Sequence, residues 1–279
     1  MMRALWTAAS GMTSEQSNVD TISNNLANIN TAGYKTEKAE FKSLLYQNLQ
    51  SRSTNSDGTK KPVAAQVGLG TRLASVTSKF SQGILQETGN FMDWGLEGDG
   101  FYKIKSGNDI LYTRNASFSL SIVSDDKVMV TNSNGWPVLD VDNNPIVINT
   151  HDEEGNLKYN TANLSLKIDG KLYCTNEATG EEEYLGIQVG LVQFANPAGL
   201  EKTGSSLFKA TENSGQPMEE TTNPAIKNST FRQNYLEASN VNAADEMVNL
   251  IVAQRAYELN SKAIQAADTM MDEANNLRR

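Results

Sequence analysis

The chain contains one histidine, His151, and one cysteine, Cys174. Nucleophilic catalysis needs a serine or cysteine beside a base, and histidine is the usual base. His151 lies in the polar segment 150–155, so we interpret it as a solvated loop residue. A zinc site built on His151 and Cys174 would need carboxylate ligands that no spaced motif marks. The sequence therefore predicts neither a nucleophilic site nor a zinc site.

Residues 140–145, DVDNNP, are similar to the start of a calcium-binding loop. Pro145 stands where such a loop needs glycine, and His151 stands where the bidentate glutamate belongs. We therefore predict a turn, and adventitious cation binding stays open.

Gly95, Gly98 and Gly100 form a glycine cluster without the Lys-Ser/Thr of a phosphate-binding loop, so they predict tight backbone before a strand. The acidic run 181–183 is interpreted as solvated. The sequence predicts no catalytic residue, no metal site and no cofactor, and hence a protein that is not an enzyme.

The composition limits the partners of the chain. Its 279 residues carry a formal net charge of −9, and the nearest approach to a basic cluster is Lys60–Lys61, which argues against nucleic acid. One cysteine allows no intramolecular disulfide. No apolar run reaches the ~20 residues of a membrane span, and residues 1–14 do not resemble a cleavable signal.

The first thirty residues show a heptad pattern. One apolar row has members seven residues apart: Leu5, Met12, Val19 and Leu26. A second row follows three residues later: Ala8, Ile22 and Ile29, with Glu15 interrupting it. This spacing predicts a helix over 1–33 that packs on a partner helix, ended by Gly33 in a left-handed conformation. A single amphipathic helix on its own domain is the alternative.

The last forty residues repeat this pattern. Asn242 is a predicted N-cap, with Asp245 three residues later. The heptad row that follows is Ala243, Leu250, Tyr257, Ile264 and Met271, with Ala253 and Ala267 beside it. The run 247–252 is apolar on more than one face, which is typical of a helix with several neighbours.

Two terminal helices with apolar stripes are expected to pair with each other as a coiled coil and then to contact other copies. The predicted assembly residues are Leu5, Met12, Val19, Ile22, Leu26, Ile29, Asn24, Asn25, Asn28, Met247, Leu250, Ile251, Tyr257, Ile264 and Met271.

The middle of the chain has the period of two that predicts strands. These are Phe101–Lys105, Ile110–Arg114, Ser117–Val123, Lys127–Thr131, a hairpin within Leu164–Cys174 and Ile187–Phe194. The predicted fold class is α+β: a terminal helical domain of 1–33 and 240–279, an extended connector over 34–84, a central all-β domain over 85–210 and a return connector over 211–239.

Three segments resemble the bacterial flagellar basal-body rod and hook family. Residues 24–35 (NNLANINTAGYK) are similar to its N-terminal motif, and residues 237–248 (EASNVNAADEMV) with 254–260 (QRAYELN) to its C-terminal motif. Residues 97–102 (EGDGFY), with 112–114 and Phe118, resemble the start of its β domain. Residues 2–11 and 41–46 are most similar to the distal rod branch. The alternatives are the proximal rod paralogue, the hook subunit or, outside the family, a cell-surface β-domain binding module.

The resemblance implies a structural subunit exported unfolded through the flagellar secretion channel, without a cleaved signal. Such subunits stack helically into a hollow rod that transmits torque from motor to hook, with terminal helices around the channel and β domains outside. The implied partners are copies of the chain, other rod, hook and export-apparatus proteins, and the surrounding ring bushing. The implied location is the basal body, spanning the cell envelope outside the cytoplasmic membrane.

Two interpretations stay open for the asparagine cluster, and two for the polar insert. Asn24, Asn25 and Asn28 either bond across subunits and fix register, or weaken the helix and end it near Asn30. The polar insert Gln50–Pro62 either locks neighbouring subunits and stiffens the rod, or is a solvated loop.

Overall fold

The computed structural model describes residues 2–50, 65–124, 126–151, 158–160, 163–176, 180–223 and 226–277. The chain divides into two compact units. The terminal unit contains Met1–Ala27, Glu37–Ser78 and Val241–Arg279, and the β unit contains Asn28–Thr36 and Lys79–Asn240. No helix within the described ranges is long and apolar enough to cross a membrane.

The terminal unit holds both long helices, α1 (Met2–Ala27) and α2 (Ala243–Asn276). Its strands are β1 (Glu37–Ser43), β2 (Tyr46–Gln50), β3 (Ala65–Gly68) and β4 (Thr71–Ser78). β1 pairs antiparallel with β4, and β2 pairs antiparallel with β3. α1 packs against α2 and also against β1 and β4. Most of the predicted connector over 34–84 therefore belongs to the terminal unit, because its strands pair and cover α1.

Helix α1 ends at Ala27, so the predicted helix over 1–33 is too long. Asparagine is a weak helix former, and the side chain of Asn25 bonds to the backbone of β1. Gly33 has the predicted positive φ, +69°, but it does not cap α1. Its N–H donates to the Glu237 carbonyl over 2.8 Å, and a Cβ there would lie 2.6 Å from the Asn115 nitrogen. Close packing in the β unit therefore requires this glycine.

Helix α2 begins at the predicted N-cap. The Asn242 Oδ1 accepts the Ala244 N–H over 3.1 Å, and Asn242 Nδ2 donates to Asp245 Oδ2 over 2.9 Å. Asp245 and Glu246 place negative charge in the first turn, where the helix dipole favours it.

The described residues of the β unit form four sheets. The strands are β5 (Leu85–Glu87), β6 (Trp94–Glu97), β7 (Phe101–Ser106), β8 (Asp109–Thr113), β9 (Ser119–Ser124), β10 (Lys127–Thr131), β11 (Val147–Asn149), β12 (Ser165–Leu166), β13 (Lys171–Thr175), β14 (Glu182–Gln188), β15 (Leu191–Gln193), β16 (Glu201–Gly204), β17 (Leu207–Lys209), β18 (Met218–Glu219), β19 (Thr230–Gln233) and β20 (Tyr235–Glu237). Their orders are β16-β17-β8-β7-β15-β18, β19-β6-β20-β5, β11-β10-β9 and β12-β13-β14.

The core of the β unit is aromatic. Trp94 and Tyr102 are fully buried, and the Phe118 ring lies 5.3 Å and 5.1 Å from their rings. A second cluster surrounds Phe101 and Phe208, with the Phe80 ring 5.5 Å and 5.3 Å from theirs. Edge-to-face rings at these distances add packing energy to the buried area.

The strands predicted over 101–131 are confirmed as β7 to β10, and the hairpin over 164–174 is confirmed as β12 and β13. Gly170 takes the positive φ, +80°, that this turn requires.

A single strand over Ile187–Phe194 is wrong, because the chain bends between β14 and β15. Val189 forms a bridge to Asp140, and a Cβ on Gly190 would lie 2.3 Å from the Asp140 oxygen. The predicted return connector 211–239 is also partly wrong, since β19 and β20 complete the sheet around β6. Residues 51–62 of the polar insert lie outside the described residues.

Candidate assembly interface

Helices α1 and α2 pack against each other in opposite directions. Asn25 Nδ2 lies 3.3 Å from Glu246 Oε2, and Gly11 faces Asn260. The buried residues of α2 are Glu246, Ala253 and Ala267, seven and fourteen residues apart. This spacing places them on one stripe, and the heptad row of α2 borders it.

The predicted assembly residues do not share one environment. Ile22 and Asn25 are buried. The half-buried set is Leu5, Met12, Val19, Leu26, Ile29, Asn28, Leu250, Ile264 and Met271, and the exposed set is Asn24, Met247, Ile251 and Tyr257. Tyr257 belongs to the heptad row but lines an open cavity of about 440 Å³ with Gln16, Val19, Gln254 and Glu258. The helix pair is therefore open at that level.

A second apolar stripe lies on the side of α2 opposite Leu250 and Ile264. We call it the outer stripe; it consists of Val248, Val252, Leu259, Met270 and Leu277. Their exposed fractions run from 50% to 88%. Val248, Leu259 and Met270 are eleven residues apart, which keeps them on one face of a straight helix. The heptad analysis missed this stripe, and a search for eleven-residue spacing finds it.

Asn25 forms hydrogen bonds within its own chain. It is fully buried, its Oδ1 accepts the Glu37 N–H over 2.9 Å, and its Nδ2 donates to the Glu37 carbonyl over 2.8 Å. Asn25 therefore joins α1 to β1. Asn28, half-buried in the β unit, accepts the Thr31 hydroxyl over 3.1 Å. The Asn25 amide is used by its own chain, and an intersubunit bond from the asparagine cluster stays a prediction.

An ion cluster in the β unit joins three segments that are distant in sequence. Lys35 Nζ lies 2.6 Å from Glu237 Oε1, and Arg114 Nε lies 3.3 Å from Glu237 Oε2. The Arg114 guanidinium also donates to the carbonyls of Gly98 and Gly100 over 2.6 Å and 2.5 Å. Each of the three charged residues belongs to one of the three motifs that carry the family resemblance.

Burial governs the electrostatics of this ion cluster. Burial lowers the pKa of Lys35 below its usual value, the Arg114 guanidinium lowers it further, and the Glu237 carboxylate opposes both. The nearby Asn240 amide accepts from the Thr36 N–H over 2.7 Å and donates to the Lys79 carbonyl over 2.8 Å. These polar groups stabilise the fold, because each pairs with a neighbouring backbone group or with an opposite charge.

The loop that is similar to a calcium site binds a cation from the protein itself. Lys103 Nζ donates to Val141 O over 3.2 Å, to Asn143 Oδ1 over 2.7 Å and to Glu219 Oε1 over 2.8 Å. The described residues contain no group of three acidic, histidine or cysteine side chains placed to hold a metal. Elsewhere, Cys174 is buried, and burial raises the pKa of its thiol.

The matches to known protein families overlap the same three segments of the chain. Residues 5–35 match the family described as "Flagella basal body rod protein", residues 95–174 match "Flagellar hook protein FlgE/F/G D1 domain", and residues 232–277 match "Flagellar basal body rod FlgEFG protein C-terminal". The chain is 44% identical over 285 residues to the flagellar basal-body rod protein FlgG of Borreliella burgdorferi, with 100% of both chains covered. The chain belongs to the flagellar basal-body rod family.

Other relatives agree with this assignment. The FlgG proteins of Buchnera aphidicola subsp. Schizaphis graminum and Bacillus subtilis are 36% and 32% identical, with 99% and 100% of this chain and 100% of each relative covered. The chain is thus a structural rod subunit of the flagellar basal body and not an enzyme, in keeping with the family. Its family motifs coincide with α1, the ion cluster and α2.

Proposed function

We propose that this rod subunit forms the distal rod, polymerising helically and transmitting torque from motor to hook. The supporting relatives are rod proteins named FlgG, and each matches this chain over its full length. The observation that carries the proposal is the outer stripe, an apolar face along α2 and its C-cap over residues 248–277 that its own chain leaves exposed. Such faces on soluble proteins mark protein contacts.

In this proposal α1 and α2 pair as a coiled coil along their heptad rows, and the outer stripe packs on terminal helices of neighbouring copies. An open-ended helical polymer needs contacts between two different surfaces of each subunit. The outer stripe and the rest of the helix pair supply two such surfaces. Fully burying a valine, leucine or methionine side chain contributes roughly 1.5–3 kcal/mol, so five stripe residues per subunit can hold a rod together.

The partners that follow are copies of the chain, other rod, hook and export-apparatus proteins, and the surrounding ring bushing. The location that follows is the basal body where it crosses the cell envelope outside the cytoplasmic membrane, reached by export without a cleaved signal. The acidic composition fits subunits that remain apart before assembly, since a net charge of −9 repels like copies.

Complementation tests the proposal. A strain lacking the chain receives the wild type, Leu259→Glu or Gln265→Glu, and swimming and isolated basal bodies are examined. Both substitutions add one negative charge to exposed positions of α2, but only Leu259 lies on the outer stripe. We expect truncated rods and no swimming with Leu259→Glu, and normal rods with Gln265→Glu. Full-length rods with Leu259→Glu would contradict the proposal.

A further inference from the structure

Apolar contacts alone do not fix how α1 and α2 are aligned. The apolar rows of both helices repeat every seven residues. A slip of one helix by seven residues therefore still places apolar positions opposite apolar positions, except at the break in the second row of α1 at Glu15. Such a slip moves α2 by roughly 10 Å along α1, since a helix rises about 1.5 Å per residue.

Two polar contacts of the helix pair do not repeat in this way. Asn25 Nδ2 lies 3.3 Å from Glu246 Oε2 at one end of the pair. Fourteen residues back along α1 is Gly11, and fourteen residues forward along α2 is Asn260. A Cβ on Gly11 would lie 2.8 Å from Asn260 Nδ2 and 3.1 Å from its Cγ. The Asn260 amide therefore packs directly on the backbone of α1, and the two contacts are two heptads apart on both helices.

The close approach of Asn260 explains why a glycine stands at position 11, inside α1. Glycine inside a helix is less favourable than alanine, because it loses more backbone freedom on folding. Slipping by one heptad would place Asn260 opposite Ala4 or Asn18, where a Cβ occupies the space that Gly11 leaves open. The same slip would also separate Glu246 from Asn25.

We propose that Gly11–Asn260, together with Asn25–Glu246, sets the register of α1 against α2 and so determines where the outer stripe is presented. Gly11 and Asn260 are positioning residues: they exclude the slipped alignments that the heptad rows would tolerate. This inference rests on the proposed function only for its consequence in the rod. The register itself belongs to the single chain.

Disulfide trapping in the purified full chain measures the register directly. The observed alignment places Ala4 opposite Ala267, and a slip by one heptad places it opposite Ala274. One form carries Ala4→Cys with Ala267→Cys, and the other carries Ala4→Cys with Ala274→Cys. Cys174 stays in place, because its thiol is buried. The yield of each intrachain disulfide after mild oxidation is compared.

Each form is then combined with Gly11→Ala, or with Gly11→Ala and Asn260→Gly. The double variant moves the glycine from α1 to α2, so that one helix of the pair still carries it at this contact. Asn249→Gly, at an exposed position of α2, controls for the glycine. We expect Gly11→Ala to lower the 4–267 yield at least fivefold and the double variant to restore it. An unchanged 4–267 yield in Gly11→Ala, no rescue by the double variant, or no 4–267 product in the parent would overturn the inference.

The same substitutions without the cysteines distinguish this inference from the proposed function. In cells, Gly11→Ala is expected to abolish swimming, and the double variant to recover it. If the trapped register changes but rods remain normal, the register assignment stands and the role of the terminal helices in assembly fails.

Discussion

The terminal unit and the β unit solve the burial of apolar side chains in different ways. In the β unit the core residues close on each other around Trp94 and Phe101, and the buried Lys35 and Arg114 both pair with the buried Glu237 carboxylate. In the terminal unit, α2 buries only one narrow stripe and leaves the outer stripe exposed. The aromatic core of the β unit closes within one chain, whereas the terminal unit carries an apolar face that we propose to contact further copies.

The largest effect should come from breaking the ion cluster of the β unit. Glu237→Ala leaves Lys35 and Arg114 buried without their counter-charge, which typically costs ~3–5 kcal/mol. Denaturant unfolding of the purified chain measures the loss. Glu97→Ala is the matched control, because its ion pair with Arg232 is half exposed and should be worth at most ~1 kcal/mol. Equal losses for both variants would contradict the structural role of the cluster.

A smaller effect is expected where α1 meets β1. Asn25→Ala removes the amide that serves the Glu37 backbone, and unpaired buried polar groups cost about 1–3 kcal/mol each. Native-state hydrogen exchange should show faster exchange of the Glu37 N–H, which loses its acceptor. Ser23→Ala, exposed on the same helix, should leave that amide unchanged. If Asn25 acted between subunits instead, Asn25→Ala would alter rods and leave exchange in the free chain as it was.

Removing the cap of α2 should have a modest effect. Asn242→Ala deletes the acceptor for the Ala244 N–H and is expected to cost about 1 kcal/mol. The helical signal of the free chain during thermal unfolding reports it. Asn249→Ala, exposed within the helix, should be neutral or slightly stabilising, since alanine is the better helix former. A neutral Asn242→Ala would show that the cap is redundant.

The smallest effect on stability should accompany Leu259→Glu, although it is expected to abolish rods. Leu259 is mostly exposed in the free chain, and exposed substitutions change the free energy of unfolding by about 0.5 kcal/mol or less. Denaturant unfolding measures this beside the Glu237→Ala protein. A large loss of stability would mean that the outer stripe is covered within its own chain, and the contrast between the two units would disappear.

Local patterns predicted the elements better than their partners. The heptad rows, the Asn242 cap and the turn at Gly170 are visible in a few neighbouring residues, so the helices and the hairpin followed from them. The ion cluster joins Lys35, Arg114 and Glu237 across most of the chain, and no spacing rule connects them. The bend at Gly190 depends on the distant Asp140 backbone. Asn25 bonds to the Glu37 backbone beyond the turn that follows α1, and no local pattern shows that β1 folds back onto the helix.

The sequence predicted the heptad row of the candidate interface but not its exposed stripe, for a related reason. Searching for heptads selected a row of α2 that borders the buried stripe of Glu246, Ala253 and Ala267, and so it indicated mainly the contact within the chain. The exposed stripe has a different spacing, so it was represented only by its neighbours Met247 and Ile251. In a chain that assembles, the row with the clearest periodicity can be the contact within the subunit.

The central claim is that the outer stripe of α2 faces another copy of this chain in the rod. A photo-crosslinking amino acid placed at Val252, in cells that assemble rods, tests it, with the same group at Gln265 as the off-stripe control. We expect a strong crosslinked product of twice the chain mass, containing only this chain, from position 252. The same product should be much weaker from position 265. The absence of a chain-to-chain product from position 252 in assembled rods would contradict the account.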